Sequence, residues 1–74
     1  MNGNALLAAI KLQGMSMGDF LDRIKMNRST WSKKIRGIHE FNRDEIQRII
    51  SVLSLNKNEI MDIFFAKEFP KRNN

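Results

Sequence analysis

A helix-start signal occurs four times in the 74-residue sequence. Its copies begin at Met15, Met26, Phe41 and Leu55. Each copy is six residues long: an apolar residue, a small polar residue, two residues of any type, an acidic residue and a second apolar residue. The second copy has Thr in place of the acidic residue. The side chain of the small polar residue accepts hydrogen bonds from free backbone N–H groups at the start of a helix. The acidic side chain in turn accepts from the backbone N–H of that polar residue, and the two apolar residues pack together across the cap. The first two copies are 11 residues apart, which leaves room for one helix of about two turns and a tight turn. The sequence therefore predicts two short, closely linked helices.

These starts, with Gly and Pro as stops, predict an all-α fold of five helices in one domain spanning residues 1–74. The predicted helices cover residues 4–13, 17–24, 28–36, 43–53 and 57–67. Gly14 and Gly37 suit left-handed helix ends, and Pro70 opposes continuation, so the tail 70–74 is expected to fray. The first helix is expected to bury its apolar residues, Leu6, Ala9, Ile10 and Leu12.

Composition excludes several classes of protein. Without cysteine the chain has no disulfide or thiolate site, and the single His39 cannot build a zinc site alone. Asp19 and Asp22 lie three apart on a helix, but no nucleophile or second histidine accompanies them, so an enzyme is not expected. No cofactor or metal is implied. The apolar run at residues 5–10 is too short for a membrane span and lacks the features of a secretory signal, so a cytoplasmic protein is expected.

The net charge of +5 is unevenly distributed. Residues 23–43 carry seven basic side chains and one acid, whereas the rest of the chain has a net charge of −1. A basic stretch is often only a solvated face. Because this one coincides with the pair of short helices, a polyanionic partner is the favoured interpretation.

The third helix is predicted to present a polar, basic face to a ligand. With about 100° per residue, Trp31 and Ile35 mark its inward side, and Ser29, Lys33 and Arg36 point the opposite way. Trp31 is expected to pack in the core rather than stack on a base. The major groove of duplex DNA admits one helix, and Arg or Lys bonds guanine there. The predicted base contacts are Arg28, Ser29 and Lys33.

Phosphate contacts are predicted around this face. Ser32, Lys34 and Arg36 fall nearer the flanking backbone of the duplex. Helix starts add N–H groups and a positive dipole end, which places Ser16, Asn42 and Arg43 among the expected phosphate contacts.

Residues 17–37 resemble the helix-turn-helix of lambdoid phage Cro proteins and repressor N-terminal domains, the Xre-type family. The end of the third helix, Lys-Ile-Arg-Gly at 34–37, followed by Phe41 and by Glu-Ile at 45–46, resembles short phage-associated members in particular. The likeness extends from about Leu6 to Phe65. It implies a lambda-repressor-like five-helix fold, operator DNA as ligand and two copies on a pseudo-palindromic site, with base contacts at Arg28, Ser29 and Lys33.

Four positions depart from the family pattern. Met17 replaces the usual Gln that touches phosphate, and Leu21 replaces the usual Ala. Lys25 stands where Gly is common in the turn, and a left-handed non-Gly residue costs about 1 kcal/mol. Lys34 replaces a common apolar residue, which leaves Trp31 and Ile35 to pack the third helix. These departures bear on the docking angle more than on the fold.

The fifth helix carries two apolar stripes. Ile60, Ile63 and Phe64 form an inward one, and Met61, Phe65 and Phe69 form another, which either widens the core-facing side or makes a homodimer interface. The two interpretations of the second stripe are nearly balanced, with a slight preference for the homodimer because one short helix reads few bases. The leading hypothesis is a phage-type, Cro-like transcriptional repressor that binds operator DNA. The main alternative is a protein-interaction module, such as an anti-repressor, that uses the same fold to bind another regulator. An excision or packaging accessory is disfavoured because no β-wing is predicted.

Overall fold

The computed structural model describes residues 1–65, and that part of the chain is all-helical, with no strand. The helices are α1 (Gly3–Leu12), α2 (Met17–Ile24), α3 (Arg28–Ile35), α4 (Arg43–Leu53) and α5 (Lys57–Phe64). The predicted end of the fifth helix at residue 67 and the tail 70–74 lie outside the described residues. Within the described part, no helix combines the length and the apolar character needed to cross a membrane.

All four predicted start signals cap helices. Ser16, Asn27, Asn42 and Asn56 each accept a hydrogen bond from the backbone N–H three residues later, at 2.8–3.1 Å. The return bond from the acid forms in α4 and α5, where Glu45 and Glu59 reach the cap residue's N–H at 2.8 Å. No return bond from Asp19 is found in α2, so the prediction is wrong there. Asp is one methylene shorter than the Glu or Gln that this box uses.

The start of α1 is capped by Asn2, which is not part of the four predicted start signals. Asn2 caps it by accepting from the Ala5 N–H, and its own N–H donates to the Ile63 carbonyl oxygen at 2.7 Å. The predicted burial of Leu12 is wrong, because 84% of its surface is exposed. Leu12 lies about 200° around the helix from buried Ile10 and so points away from the core.

The core lies between two helix pairs. α2 packs against α4 and α1 against α5, with five side chains fully buried at the centre: Leu6, Phe20, Ile24, Ile49 and Leu53. A row of aromatic contacts ties α3 to the other elements. Trp31 meets Phe20 edge-on at a centroid distance of 5.3 Å and Phe41 at 5.7 Å, and Phe41 meets Phe64 at 6.4 Å. α3 is thereby fixed to the core through its Trp31 side.

Two long side chains donate hydrogen bonds to the ends of helices other than their own, one from α4 and one from the residue after α1. Arg48 of α4 donates through Nη1 to the Ile24 carbonyl oxygen at the end of α2, at 3.2 Å. Gln13 donates through Nε2 to the Leu53 carbonyl oxygen at the end of α4, at 3.0 Å. Carbonyls in the last turn of a helix lack intrahelical partners, so these bonds satisfy groups that the helices leave open.

The turn between α2 and α3 contains a strained residue. Lys25 is left-handed, with φ 59° and ψ 51°, as expected for a position where Gly is common. We expect Lys25→Gly to stabilise the fold by about 0.5 kcal/mol, because the relief of strain outweighs the added freedom of the unfolded chain. Lys11→Gly, within helical α1, should instead cost about 1 kcal/mol. Urea unfolding followed by circular dichroism measures both, and equal destabilisation by the two changes would contradict the left-handed turn.

Candidate nucleic-acid interface

The outer face of α3 is polar and basic. Arg28, Ser29 and Lys33, the predicted base contacts, are all exposed, whereas Trp31 on the opposite side is only 6% exposed. Burial of Trp31 confirms its prediction as a core residue. α3 spans eight residues, so two turns of helix carry this exposed set.

Arg28 also connects the starts of α2 and α3. Its Nη2 lies 3.9 Å from the position that a Cβ on Gly18 would take, so the guanidinium lies beside the first turn of α2. Ser16 caps that turn. The predicted phosphate contact at the start of α2 and a predicted base contact of α3 are therefore neighbours.

The helix starts differ in charge. The first turn of α3 contains no acid, so the positive end of its dipole is reinforced by Arg28. Asp19 lies in the first turn of α2, and Asp44 and Glu45 lie in that of α4. The side chains of Ser16 and Asn42 already accept hydrogen bonds as helix caps. A phosphate at either helix start would therefore be bound by backbone N–H groups of the first turn.

Three other predicted phosphate contacts lie near the surface. Arg36 and Arg43 are exposed, and Ser32 is half-buried. Arg36 bends back along α3, because its Nε donates to the Ser32 carbonyl oxygen at 3.2 Å. This bond holds the charged group of Arg36 next to the end of α3.

Lys34 differs from the prediction. Its ammonium is paired with the Glu45 carboxylate, both side chains are less than 15% exposed, and it lies 6.0 Å from the ring centre of Phe41. A lysine held in this way is poorly placed to contact phosphate, so the predicted contact by Lys34 is not supported. Glu45 was not predicted as the partner of Lys34. The available signal was that Lys34 lies next to Ile35, on the side of α3 that approaches the core.

The Glu45 carboxylate joins two elements. One oxygen, Oε1, accepts from Lys34 Nζ of α3 and from the Asn42 N–H at the start of α4. Desolvation on burial raises the pKa of Glu45, but hydrogen bonds from Lys34 and Asn42 and the charges of Lys34 and Arg48 outweigh it, so the pKa lies below its ordinary value. The ionised form is therefore favoured in the folded protein.

This lowered pKa predicts a loss of stability in acid. The stability that ionised Glu45 contributes is present above the pKa of Glu in the unfolded chain, about 4.3. It is lost as the pH falls through the lower pKa of Glu45 in the folded protein. We expect the wild type to lose more free energy of unfolding between about pH 5 and pH 3 than Glu45→Gln, which stays neutral. Urea unfolding at each pH measures the difference. Equal losses in the two proteins would show that Glu45 contributes no charge-dependent stability.

The predicted dimer surface is partly described. Met61 and Phe65 are exposed by 52% and 56%, and Phe69 lies outside the described residues. Beside Phe65 a shallow groove of about 440 Å³ is lined by Arg43, Ile46, Gln47 and Ile50. Apolar surface therefore continues from the end of α5 onto α4.

Within the described residues no group of three His, Cys, Asp or Glu side chains is arranged to hold a metal ion. Comparison with known proteins gave no match: no family model, no curated protein and no solved structure is significantly similar to this chain.

Proposed function

We propose that the protein is a small transcriptional regulator that binds duplex DNA in a sequence-specific manner through α3. The observation that carries the proposal is the exposed face of α3. This face presents Arg28, Ser29 and Lys33 without an acid, on a helix whose first turn is also free of acids. In this proposal α2, the turn at residues 25–27 and α3 form a helix-turn-helix of the Cro and repressor type.

The dimensions and charge of α3 support this function. A major groove about 12 Å wide accepts one α-helix, and the first turns of a recognition helix reach deepest. Arg28 and Lys33 offer hydrogen-bond donors to guanine O6 and N7. The Ser29 hydroxyl can donate to a base edge or accept from one. These three residues are proposed to read sequence.

Affinity comes from contacts with the backbone of the duplex. Arg36 and Arg43 follow the reading residues along the chain, and Ser32 lies among them on α3. The starts of α2 and α4, at Ser16 and Asn42, add backbone N–H groups. Asp19 and Asp44 weaken the contribution of those two starts by repulsion. Lys34 is left out of this set because it is paired with Glu45.

A homodimer fits the proposal, since a helix of eight residues contacts few base pairs. Two copies related by a two-fold axis place their recognition helices about one DNA turn apart. The exposed Met61 and Phe65, next to the groove on α4, are the proposed interface. Operator DNA and a second copy of the chain are thus the proposed partners.

Selection from a random duplex pool tests the function. The full chain is incubated with the pool at a low and a physiological salt concentration, and the bound duplexes are sequenced. We expect a motif with two-fold symmetry to be enriched at both, because base contacts survive salt better than phosphate contacts. Enrichment of no motif at either concentration would contradict sequence-specific binding.

A protein-interaction module, such as an anti-repressor, is the second candidate. The observation that favours it is the exposed apolar surface, which includes Leu7 and Leu12 on α1 as well as Met61 and Phe65. Under this alternative the purified protein binds no duplex at low salt and forms a complex with another regulator. Sedimentation of the protein with labelled duplex distinguishes the two candidates.

A further inference from the structure

We infer that Lys34 and Glu45 form a positioning pair that sets the orientation of α3 on DNA, an inference that rests on the proposed function. The pair joins the last turn of α3 to the first turn of α4. Because Glu45 Oε1 also accepts from the Asn42 N–H, displacement of α3 would disturb the start of α4 as well. The two residues act on DNA through the placement of Arg28, Ser29 and Lys33, and not by touching it.

The surroundings of the pair support this role. Lys34 lies over the ring of Phe41, which contacts Trp31 on the inner side of α3. The carbonyl oxygen of Ile35 lies 3.2 Å from the position of a Cβ on Gly3, so α1 closely approaches the end of α3. The C-terminal end of α3 is thus held on more than one side, and Lys34 supplies the ionic contact. Desolvation of the two charges offsets much of the stability that such a pair can add, and the pair is assigned to the placement of α3 instead.

The chain supplies a matched control. α4 and α5 begin with the same capping box, in which an Asn accepts from the Glu N–H and the Glu accepts from the Asn N–H, all at 2.8 Å. Among residues 1–65, Glu45 is paired with a basic side chain and Glu59 is not. Glu45→Gln and Glu59→Gln therefore make the same change to a helix cap, and the first one alone also removes the ionic attraction to Lys34 of α3.

The test compares Lys34→Met, Glu45→Gln, the double variant and Glu59→Gln in the full chain. We expect each change at the pair to lower the ratio of specific to non-specific DNA affinity about tenfold, a loss comparable with one mismatched base pair. The double variant should lose no more than either single one, because both break one interaction. Glu59→Gln should keep the wild-type ratio.

Salt dependence separates positioning from direct contact. Loss of a phosphate contact would make the slope of log affinity against log salt shallower by about 0.9. For Lys34→Met we expect an unchanged slope with a lowered ratio. A shallower slope, with equal weakening on all sequences, would overturn the inference and make Lys34 a phosphate contact.

A readout without DNA keeps the positioning claim separate from the proposed function. Trp31 is the single tryptophan of the sequence and lies beside Phe41, so its fluorescence emission reports on how α3 packs against the core. We expect the emission maximum to shift in Lys34→Met and Glu45→Gln and to stay constant in Glu59→Gln. Unchanged emission in all variants overturns the positioning role, even if the wild type binds DNA. A different outcome is that the emission maximum shifts in the variants while the wild type binds no duplex. That outcome contradicts the proposed function, and with it the effect of the pair on DNA binding, but not the positioning of α3.

Discussion

Trp31→Ala is expected to unfold most of the protein at 25 °C. Trp31 is 6% exposed, contacts Phe20 and Phe41 through its ring, and is the buried residue of α3. Removal of a buried Trp side chain costs about 3–5 kcal/mol. A chain of this size without cysteine, and so without disulfides, rarely has more stability than that to lose. Urea and thermal unfolding followed by circular dichroism measure the effect.

Leu12→Ala is the control for this change. It also truncates a large apolar side chain, but Leu12 is 84% exposed, so we expect a change within about 0.5 kcal/mol. Trp31→Phe, which keeps an aromatic ring between Phe20 and Phe41, should lie between the two. If Trp31→Ala instead unfolded like the wild type, Trp31 would belong to the ligand face and the orientation of α3 would be wrong.

Lys33→Ala and Arg36→Ala are expected to weaken DNA binding in different ways. Lys33 is assigned to a base edge, so its loss should cost about tenfold to a hundredfold on the selected duplex and relax preference at one position. Arg36 is assigned to phosphate, so its loss should weaken binding to all sequences and make the salt slope shallower by about 0.9. Titration of fluorescent duplexes at several salt concentrations measures both.

Lys57→Ala provides the reference for lost positive charge. Lys57 is exposed at the start of α5, outside the proposed face, and its replacement makes the same change in net charge. We expect a small and uniform effect on affinity. Should all three variants weaken binding equally on every sequence, α3 would attract DNA without reading it.

Local signals in the sequence account for most of the fold. An N-cap depends on residues three positions apart, so Ser16, Asn27, Asn42 and Asn56 are readable without knowledge of the tertiary structure. The predicted burial of Leu12 rested on its apolar character, whereas the helical period places it about 200° from Ile10 and so on the exposed side. The cap at Asn2 was missed because the first helix was predicted to begin at residue 4, whereas α1 begins at Gly3.

The candidate site was predictable where it depends on one helix. The period of α3 is enough to separate Trp31 from Ser29 and Lys33, and the structure places them on buried and exposed sides respectively. The pairing of Lys34 with Glu45 joins residues 11 apart in different helices, and no local rule specifies such a contact. The bond from Arg48 to the end of α2 likewise depends on how α4 packs.

The central claim is that the outer face of α3 binds duplex DNA, and an NMR titration of the ¹⁵N-labelled full chain with the selected duplex tests it most directly. We expect amide shift changes to concentrate on residues 28–36 and on the first turn of α2, where Arg28 lies beside Gly18. They should weaken with added salt. Changes confined to α1 or α5, with α3 unaffected, would contradict the claim.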